Sequence, residues 1–381
     1  MKKILYIANI RLPTEKAHGI QIMEMAGALS RAGVGVELVV PKRNNLITEE
    51  PFAYYRIPKT FEITYLPSLD LVRFGRIGFL VQSLTFMVAA LWHARKQDAL
   101  VYSRDELFLS VLSFFHKPYI FEVHAAKSHT VMRRAIAKAQ LVVPISMGLK
   151  AFYQQQGVLG SRMIVCPDGV NLERFAITES RHECRVKLSL PQDKKIALYA
   201  GHLYARKGAH VLAEAAKNLP SDALCVFVGG TAKDITEFTK QYRASENVLI
   251  VGHKPHDDIP YYLRAADVLV LPNSAKDDDA RLYTSPMKLF EYMASGTPII
   301  ASDVPSLREV LNSDNALFVP PDDSALLADG IKMLLGDEKL AHDIASRAKN
   351  DVTLYTWGAR AQKIMTHARE LSGGASIAMM D

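Results

Sequence analysis

Two short segments carry residue types at spacings suited to holding an anion. The first is Thr284-Ser285-Pro286-Met287-Lys288-Leu289-Phe290-Glu291, running on to Gly296 and Pro298. Ser285 suits a helix N-cap and Pro286 the first helical position, while Gly296 and Pro298 stop the helix. A helix start presents unpaired N–H groups and a partial positive charge, which attract phosphate. Lys288 in the first turn adds to that charge. Glu291 shares a face with Lys288 at i,i+3 and lies ~9 Å along the axis from Ser285, at 1.5 Å per residue. A phosphate at the helix start and a carboxylate farther along match a nucleoside diphosphate, whose ribose hydroxyls can both donate to the carboxylate. The same residues also fit a capped core helix in which Glu291 pairs with a neighbour.

The second segment is Gly201-His202-Leu203-Tyr204-Ala205-Arg206-Lys207-Gly208, between the apolar run KIALYA and the helical run AHVLAEAAKNL. A basic pair in a loop bounded by glycines and opening a helix is again suited to phosphates. It reads equally as a solvated basic loop. What favours the anion reading of both segments is their equivalent placement, each at the carboxyl end of a strand of one sheet.

The elements that would position these residues alternate along the chain. Strand-like runs are ILYIANI, VGVELVVP, ALVYS, PYIFEVH, AQLVVPIS and MIVCP, then KIALYAG, ALCVFVGG, VLIVG, ADVLVLP and PIIASD, with helical stretches between them. Continuous Val/Ile/Leu runs, rather than strict alternation, indicate strands buried on both faces of a parallel sheet. Strand–helix alternation implies right-handed crossovers and a doubly wound α/β layout. The theme is interrupted by a polar stretch and then restarts. The expected division is therefore a Rossmann-like domain over 1–175, a linker over 176–192, and a second Rossmann-like domain over 193–355. A helix over 356–371 and a tail over 372–381 follow. Two facing lobes would place a site in the cleft between them.

At 381 residues the chain exceeds what one core usually serves. Cys166, Cys184 and Cys225 are odd in number and share no metal-ligand spacing, which fits a reducing compartment. The start, MKKILYIANIRLP, is too short in its apolar run for a secretory signal and reads as a first strand. The longest apolar stretch, Phe79 to Trp92, falls short of the ~20 residues a spanning helix needs. Net charge is +6, but residues 1–175 hold 22 Lys+Arg against 13 Asp+Glu, or +9, leaving −3 for the remainder. A basic front half suits an acidic partner such as anionic lipid head groups or a phosphorylated acceptor, and equally an ordinary solvated surface. The basic residues are scattered and no nucleic-acid module is visible, so a nucleic-acid partner is not expected.

From Val165-Cys166-Pro167-Asp168-Gly169-Val170-Asn171 through Ile299-Ile300-Ala301-Ser302 the sequence resembles the retaining GT-B glycosyltransferases of family 4, also called glycosyl transferases group 1. The resemblance implies a GT-B fold of two Rossmann-like domains with parallel sheets facing a central cleft. The donor would bind mainly to the second domain, and the last helix, from Tyr355-Thr356-Trp357 to Leu371, would cross back to the first. It implies transfer of a sugar from a nucleotide-diphosphate donor, most often a UDP-sugar, onto a glycan or lipid-linked acceptor, with no metal and no cofactor.

Residue by residue, the resemblance assigns Lys207 to the donor pyrophosphate, Glu291 to the ribose, and the main-chain N–H groups of Ser285, Pro286 (through its neighbours), Met287, Lys288 and Leu289 to the phosphates. Gly19 would match a loop glycine that lets ligands approach the backbone, and His124, ending YIFEVH, the histidine beside the donor sugar. Gly252, in Val251-Gly252-His253-Lys254, marks where base contacts are expected. The chain departs from the family at His202, where an arginine is usual and Arg206 is the available substitute. It departs again at Tyr283, where a sugar-contacting glutamate is usual and Arg281 or the run Asp277-Asp278-Asp279 is nearby.

Attack from the face on which the nucleotide leaves would make catalysis a matter of stabilising the departing diphosphate, by Lys207 with Arg206, and of positioning the acceptor. Competing readings are a nucleotide-sugar epimerase, which would release nucleotide without an acceptor, and a non-catalytic nucleotide- or sugar-binding protein. The stretch from Arg56 to Arg95, with Arg73, Phe74, Arg76 and Phe79, reads either as a helix on the first domain's sheet or as one lying on an anionic membrane. The expected location is cytoplasmic, with peripheral contact at the inner face of the membrane.

Overall fold

The computed structural model describes residues 3–242 and 245–377. The chain separates into two compact units, one holding the residues up to Asp168 with those from Trp357 on, the other Gly169–Thr356. The first contains strands β1 (Lys3–Ile7), β2 (Gly35–Pro41), β3 (Glu62–Leu66), β4 (Leu100–Ser103), β5 (Tyr119–Val123) and β6 (Leu141–Pro144), in the spatial order β3-β2-β1-β4-β5-β6. The second contains β7 (Lys195–Ala200), β8 (Ala223–Val228), β9 (Val248–Gly252), β10 (Val268–Leu271), β11 (Ile299–Ser302) and β12 (Leu317–Val319), ordered β12-β11-β10-β7-β8-β9. Numbered within its own half, each sheet reads 3-2-1-4-5-6, the doubly wound order. Central pairs are parallel and in register, as in Ile4 opposite Val36 and Leu100.

The apolar runs become central strands because both faces are covered. In β7, Ile196, Leu198 and Ala200 enter one buried cluster while Ala197 and Tyr199 enter another on the opposite face. Successive side chains point to opposite faces, so burial on both leaves no polar alternation to read.

Several expected boundaries differ. The edge strands β3 and β12 escape a search for apolar runs, because EITYL is half-exposed and LFV is only three residues long. MIVCP is not a strand: Ile164 N–H and Cys166 N–H donate to Val142 and Pro144 (3.1 and 3.0 Å), an extended chain beside edge strand β6. The stretch 176–192 is no free linker. Ser180 and Glu183 form a capping box that starts the helix Arg181–Lys187, and Arg185 fastens it to Asp267 at 2.6 Å within the second unit. The chain instead passes between units at 168/169 and again at 356/357.

The last helix, Trp357–Ile377, lies in the first unit and runs past Leu371 through Gly373 and Gly374. Each glycine costs about 1 kcal/mol, but an established helix propagates by one hydrogen bond per residue. Of the tail expected over 372–381, residues 372–377 therefore continue the helix and residues 378–381 lie outside the described residues. The helix Gly75–Arg95 also exceeds the apolar stretch that predicts it, and Val72–Arg95 is long and apolar enough to cross a membrane by length and composition. Its Thr85 hydroxyl donates back to the Val81 carbonyl at 2.9 Å, which hides a polar group inside the helix.

Candidate functional site

In the second sheet the order reverses between β7 and β10, and ligands of such sheets gather at the carboxyl ends on either side of the reversal. The loop Gly201–Gly208 leaves β7 there. Gly201 takes φ 140° and Gly208 φ 74°. A side chain at Gly208 would place Cβ 1.6 Å from the carbonyl oxygen of Pro272, just after β10. Only glycine allows that approach, and it holds the loop against both strand ends. Ser274 N–H donates to the Arg206 carbonyl (3.3 Å), completing the attachment.

The loop presents Arg206 exposed and Lys207 half-buried in a single 3₁₀ turn, Ala205–Lys207. Burial, then the neighbouring Arg206 charge, pushes the Lys207 ammonium below its ordinary range. His202 stacks on Tyr204 with rings 4.9 Å apart, and its Nδ1 lies 3.8 Å from Asp234. Its imidazole is thus drawn to a carboxylate of its own unit.

Lys288 converges on the same place. Its Nζ is buried, makes no hydrogen bond among the described residues, and sits 3.9 Å from the centre of the Tyr199 ring. A side chain added at Gly201 would come within 3.8 Å of its Cδ. Burial, then the charge of Lys207, pushes its ammonium well below the ordinary 10.5, and Glu291 opposes this only in part. A buried cation in the first turn of a helix also opposes the helix dipole. Three unfavourable terms at one ammonium describe a site that an anion would relieve.

The helix spans Met287–Ser295. Pro286, rather than Ser285, occupies the cap: its ψ of 122° is extended, so helical geometry begins one residue later than expected. Leu289 N–H donates to the Pro286 carbonyl at 2.9 Å. Gly296 ends the helix at φ 68°, as its type predicts. Tyr292 anchors the helix to the sheet by accepting from Ala200 N–H at 2.7 Å.

Glu291 is buried and is not a bystander. His256 Nε2 lies 2.9 Å from Glu291 Oε1, and Arg174 Nη1 lies 3.3 Å from His256 Nδ1. With Arg174 as an obligatory donor, Nδ1 is the acceptor and Nε2–H donates to Glu291. Glu291 Oε2 then makes no hydrogen bond among the described residues and remains an acceptor. Neither His256 nor Arg174 was found from sequence. They lie far from Glu291 along the chain and share no motif with it, so only the packing of the helix Met287–Ser295 on its neighbours joins them.

The other sequence-derived residues of this unit take less central positions. Gly252 ends β9 at φ 79° and its carbonyl accepts from Gly229 N–H at 2.7 Å. Tyr283 closes a five-residue π-helical turn, Asp279–Tyr283. Arg281 is engaged by Asp278 at 2.7 Å, so the acidic run and the arginine largely satisfy each other. Asn273, which follows β10, is fully buried with neither side-chain atom hydrogen-bonded among the described residues. Sequence reading passed over it.

In the first unit His124 follows β5 and is half-buried. Its Nε2 lies 2.5 Å from Glu122 Oε1. Burial, then Arg104, pushes the imidazole down to about 4, so it is neutral near pH 7. Glu122 is fully buried, which by itself would raise its carboxyl. Arg360 at 2.9 Å, His124 and Arg104 outweigh that and hold it well below the carboxylate range. An ionised Glu122 beside a neutral imidazole places the proton on Nε2 and leaves Nδ1 an acceptor. Gln21 Nε2 also donates to Glu122 (2.7 Å), as does the Tyr102 hydroxyl.

Gly19 departs from expectation. It lies inside the helix Ala17–Arg31, not in a ligand loop. An added Cβ would meet Tyr55 Oη at 2.2 Å and Thr14 Cγ2 at 2.6 Å. Tyr55 fills the space because its hydroxyl accepts from Thr14 N–H and donates to Thr14 O, each at 2.8 Å. The glycine serves protein packing. Among the described residues no group of three His, Cys, Asp or Glu side chains could hold a metal ion.

Residues 180–351 match the family model of glycosyl transferases group 1. Among curated proteins the chain is 27% identical over 226 residues to a putative teichuronic acid biosynthesis glycosyltransferase, TuaC, of Bacillus subtilis, covering 56% of this chain and 54% of that protein. It is 27% identical over 216 residues to a D-inositol 3-phosphate glycosyltransferase of Xylanimonas cellulosilytica, covering 54% and 50%. The matches thus span about half the length of these relatives. Among solved structures, HepE of Anabaena in complex with UDP and glucose aligns with a TM-score of 0.74 at 18% identity, over 96% of this chain and 99% of that one. Sucrose-phosphate synthase of Thermosynechococcus elongatus aligns at 0.79 and 22% identity, over 98% and 100%. At these identities the likeness is one of fold, and the fold is GT-B.

Proposed function

We propose that this chain, whose residues 180–351 match the family model of glycosyl transferases group 1, moves a glycosyl group from a nucleoside diphosphate sugar onto a glycan or lipid-linked acceptor. The observation that carries the reading is the buried, unpartnered Lys288 ammonium beside Lys207, with Glu291 oriented by His256 on the same helix. The two cations meet the diphosphate and Glu291 Oε2 accepts from the ribose, a spacing that suits a nucleotide better than an isolated phosphate.

Charge develops on the diphosphate as the glycosidic bond breaks. Fixed cations that are already desolvated stabilise that charge without reorganising. Lys207 and Lys288 are such cations, and Arg206 is an exposed one at the rim. On this reading transfer proceeds with retention, the leaving phosphate oxygen takes the acceptor proton, and no side chain is assigned as nucleophile or base. His124, neutral and oriented by Glu122, offers Nδ1 to a sugar hydroxyl. A UDP-sugar is the donor we favour, supported by the fold shared with HepE, which was solved with UDP and glucose. Tyr283 stands where the resemblance expects a glutamate, so sugar selection would rest on a phenol rather than a carboxylate.

The test is thermal stability with UDP, GDP, ADP, TDP and CMP. One nucleoside diphosphate at 100 times its dissociation constant should add ~2.7 kcal/mol of stability, and Lys207→Ala and Glu291→Ala should each lose that response. No shift with any nucleotide sinks the proposal. An epimerase would instead release nucleotide without an acceptor, which a coupled assay separates.

The Arg174–His256 pair should matter through Glu291. Removing one oriented hydrogen bond to a carboxylate costs about 1.5 kcal/mol. His256→Ala should therefore weaken the nucleoside diphosphate by about tenfold in a binding titration, with little change for inorganic pyrophosphate, which lacks a ribose. Equal losses for both ligands would mean that His256 acts on the phosphates or on the fold instead.

A further inference from the structure

The first sheet reverses its order between β1 and β4, as the second does between β7 and β10. Ligands of such sheets gather at the carboxyl ends of the strands that flank the reversal. Arg104 follows β4 at that place and is half-buried. Its Nη1 donates to Gln21 Oε1 at 2.7 Å, and Nε2 of the same amide donates to Glu122 at 2.7 Å. Gln21 is buried, so a fixed amide orients the guanidinium. An arginine carries five N–H donors. The rest of this fork makes no hydrogen bond, and no carboxylate pairs with it, among the described residues.

The acids around Arg104 are already answered by other cations. Burial raises the carboxyls of Glu122 and Asp168, and for each the largest opposing charge is Arg360, with Arg104 a lesser one. Arg360 lies 2.9 Å from Glu122. Glu15, just before the helix Ala17–Arg31, is held by Arg11 at 2.6 Å. That helix has no side-chain cap and no acid in its first turn. His18 stands in this turn and is half-buried. Burial, then Arg104, then Lys16 pushes its imidazole down to about 4. His124 is pushed to a similar value by burial and then Arg104. Both imidazoles are therefore neutral near pH 7 and lie in the field of a guanidinium that no carboxylate pairs.

We propose that Arg104 and His18 bind an acidic group, a phosphate or a carboxylate, carried by the acceptor. The inference rests on the reading of the chain as a glycosyltransferase whose donor diphosphate is met by Lys207 and Lys288. Those cations already answer the charge of a nucleoside diphosphate, so the acid that matches Arg104 belongs to the other substrate. The guanidinium offers a planar fork that suits either oxyanion, and the His18 ring adds a neutral N–H. His124, whose Nε2 is committed to Glu122, is left for a hydroxyl.

The test titrates the full chain by calorimetry with glucose 6-phosphate, glucuronate and glucose, each with and without UDP. At least one of the two acids should bind roughly ten- to a hundredfold more tightly than glucose, the usual gain from hydrogen bonds to a charged group. Which acid is preferred tells phosphate from carboxylate. Arg104→Gln should erase the preference and leave UDP affinity unchanged. Arg104→Lys, which keeps the charge, should recover part of the preference, and it decides the case where glutamine lowers the melting temperature. The proposal is overturned if neither acid binds better than glucose, if Arg104→Gln keeps the preference, or if it loses UDP and acid alike. A preference for UDP-glucuronate over UDP-glucose that disappears in Arg104→Gln would put the acid on the donor sugar and overturn it as well. An acid preference in a chain that binds no UDP would remove the donor reading and leave the anion subsite standing.

Discussion

Replacing Arg360 by alanine should cost about 3–5 kcal/mol of stability, the expected loss when one partner of a buried ion pair is removed. Arg360 and Glu122 are both fully enclosed, 2.9 Å apart. Arg360 Nε also donates to the Pro167 carbonyl at 2.8 Å, tying the last helix to the end of the first unit's continuous chain. Without the guanidinium, Glu122 keeps its neutral donors Gln21, Tyr102 and His124 but loses its nearest counter-charge. The melting temperature should fall by roughly 10 °C for a unit of this size.

The pH dependence identifies the cause. Glu122 has a folded-state carboxyl well below its ordinary 4.5. It therefore contributes stability that is present above 4.5 and lost as pH falls through the folded value. In Arg360→Ala that contribution is gone, so the gap to wild type should be widest near neutrality and narrow in acid, where the variant's Glu122 takes a proton. Adding Glu122→Gln to Arg360→Met should recover much of the loss near neutral pH, because no charge is then left buried alone. A loss under 1 kcal/mol, or one that does not change with pH, would show that the pair is not what holds this helix down.

Lys288→Met should move stability and function in opposite directions. The wild-type ammonium is buried, unbonded, near Lys207 and in the first turn of a helix. Its proximity to the Tyr199 ring returns part of that cost, at up to ~2 kcal/mol for a desolvated pair. Methionine keeps the length and the ring contact and removes the charge, which should raise stability by about 1 kcal/mol. Binding of the nucleoside diphosphate should weaken by about 100-fold, and kcat/KM should fall by 10²–10³, the usual effect of losing one donor to a developing charge.

Again the proton gives the sign. Lys288 titrates lower in the folded chain than its ordinary 10.5. The folded state therefore binds fewer protons than the unfolded one, and its stability rises with pH up to 10.5. The stability gap between Met and wild type should close as pH approaches that value. Over the same window the wild type should lose affinity for the diphosphate, since Lys288 must take up a proton to meet the anion, while the variant's affinity should show no such slope. Calorimetric titration from neutral pH upward reads both. A variant that binds like wild type would remove Lys288 from the site.

Elements of the fold were legible where a residue type has one physical use. Apolar runs such as KIALYA and ADVLVLP became buried parallel strands because a strand covered on both faces has no polar alternation. Gly201, Gly208 and Gly296 took positive φ at the turns their neighbours predicted, because few other residues enter that region cheaply. Edge strands β3 and β12 were not legible, since one exposed face or three residues leave no signal above the surrounding loop.

The candidate site divides in the same way. The basic loop at Lys207 and the helix bearing Lys288 and Glu291 could be marked from local chemistry, because a helix start and a glycine-bounded loop act within a few residues of themselves. That the two lysines share one place, that Arg174 and His256 aim Glu291, and that Glu122 sets the proton of His124 were decided by tertiary packing. So was the fate of Gly19, whose open side is filled by Tyr55. These pairings join residues distant along the chain, and each depends on distances of a few ångströms that no local spacing encodes. The helix Gly75–Arg95 shows the same limit: its composition was plain in the sequence, but which half faces solvent is set by Gln82 and His93, which meet Asn9 and Glu37, and by the close approach of Gly78 to the Leu71 carbonyl.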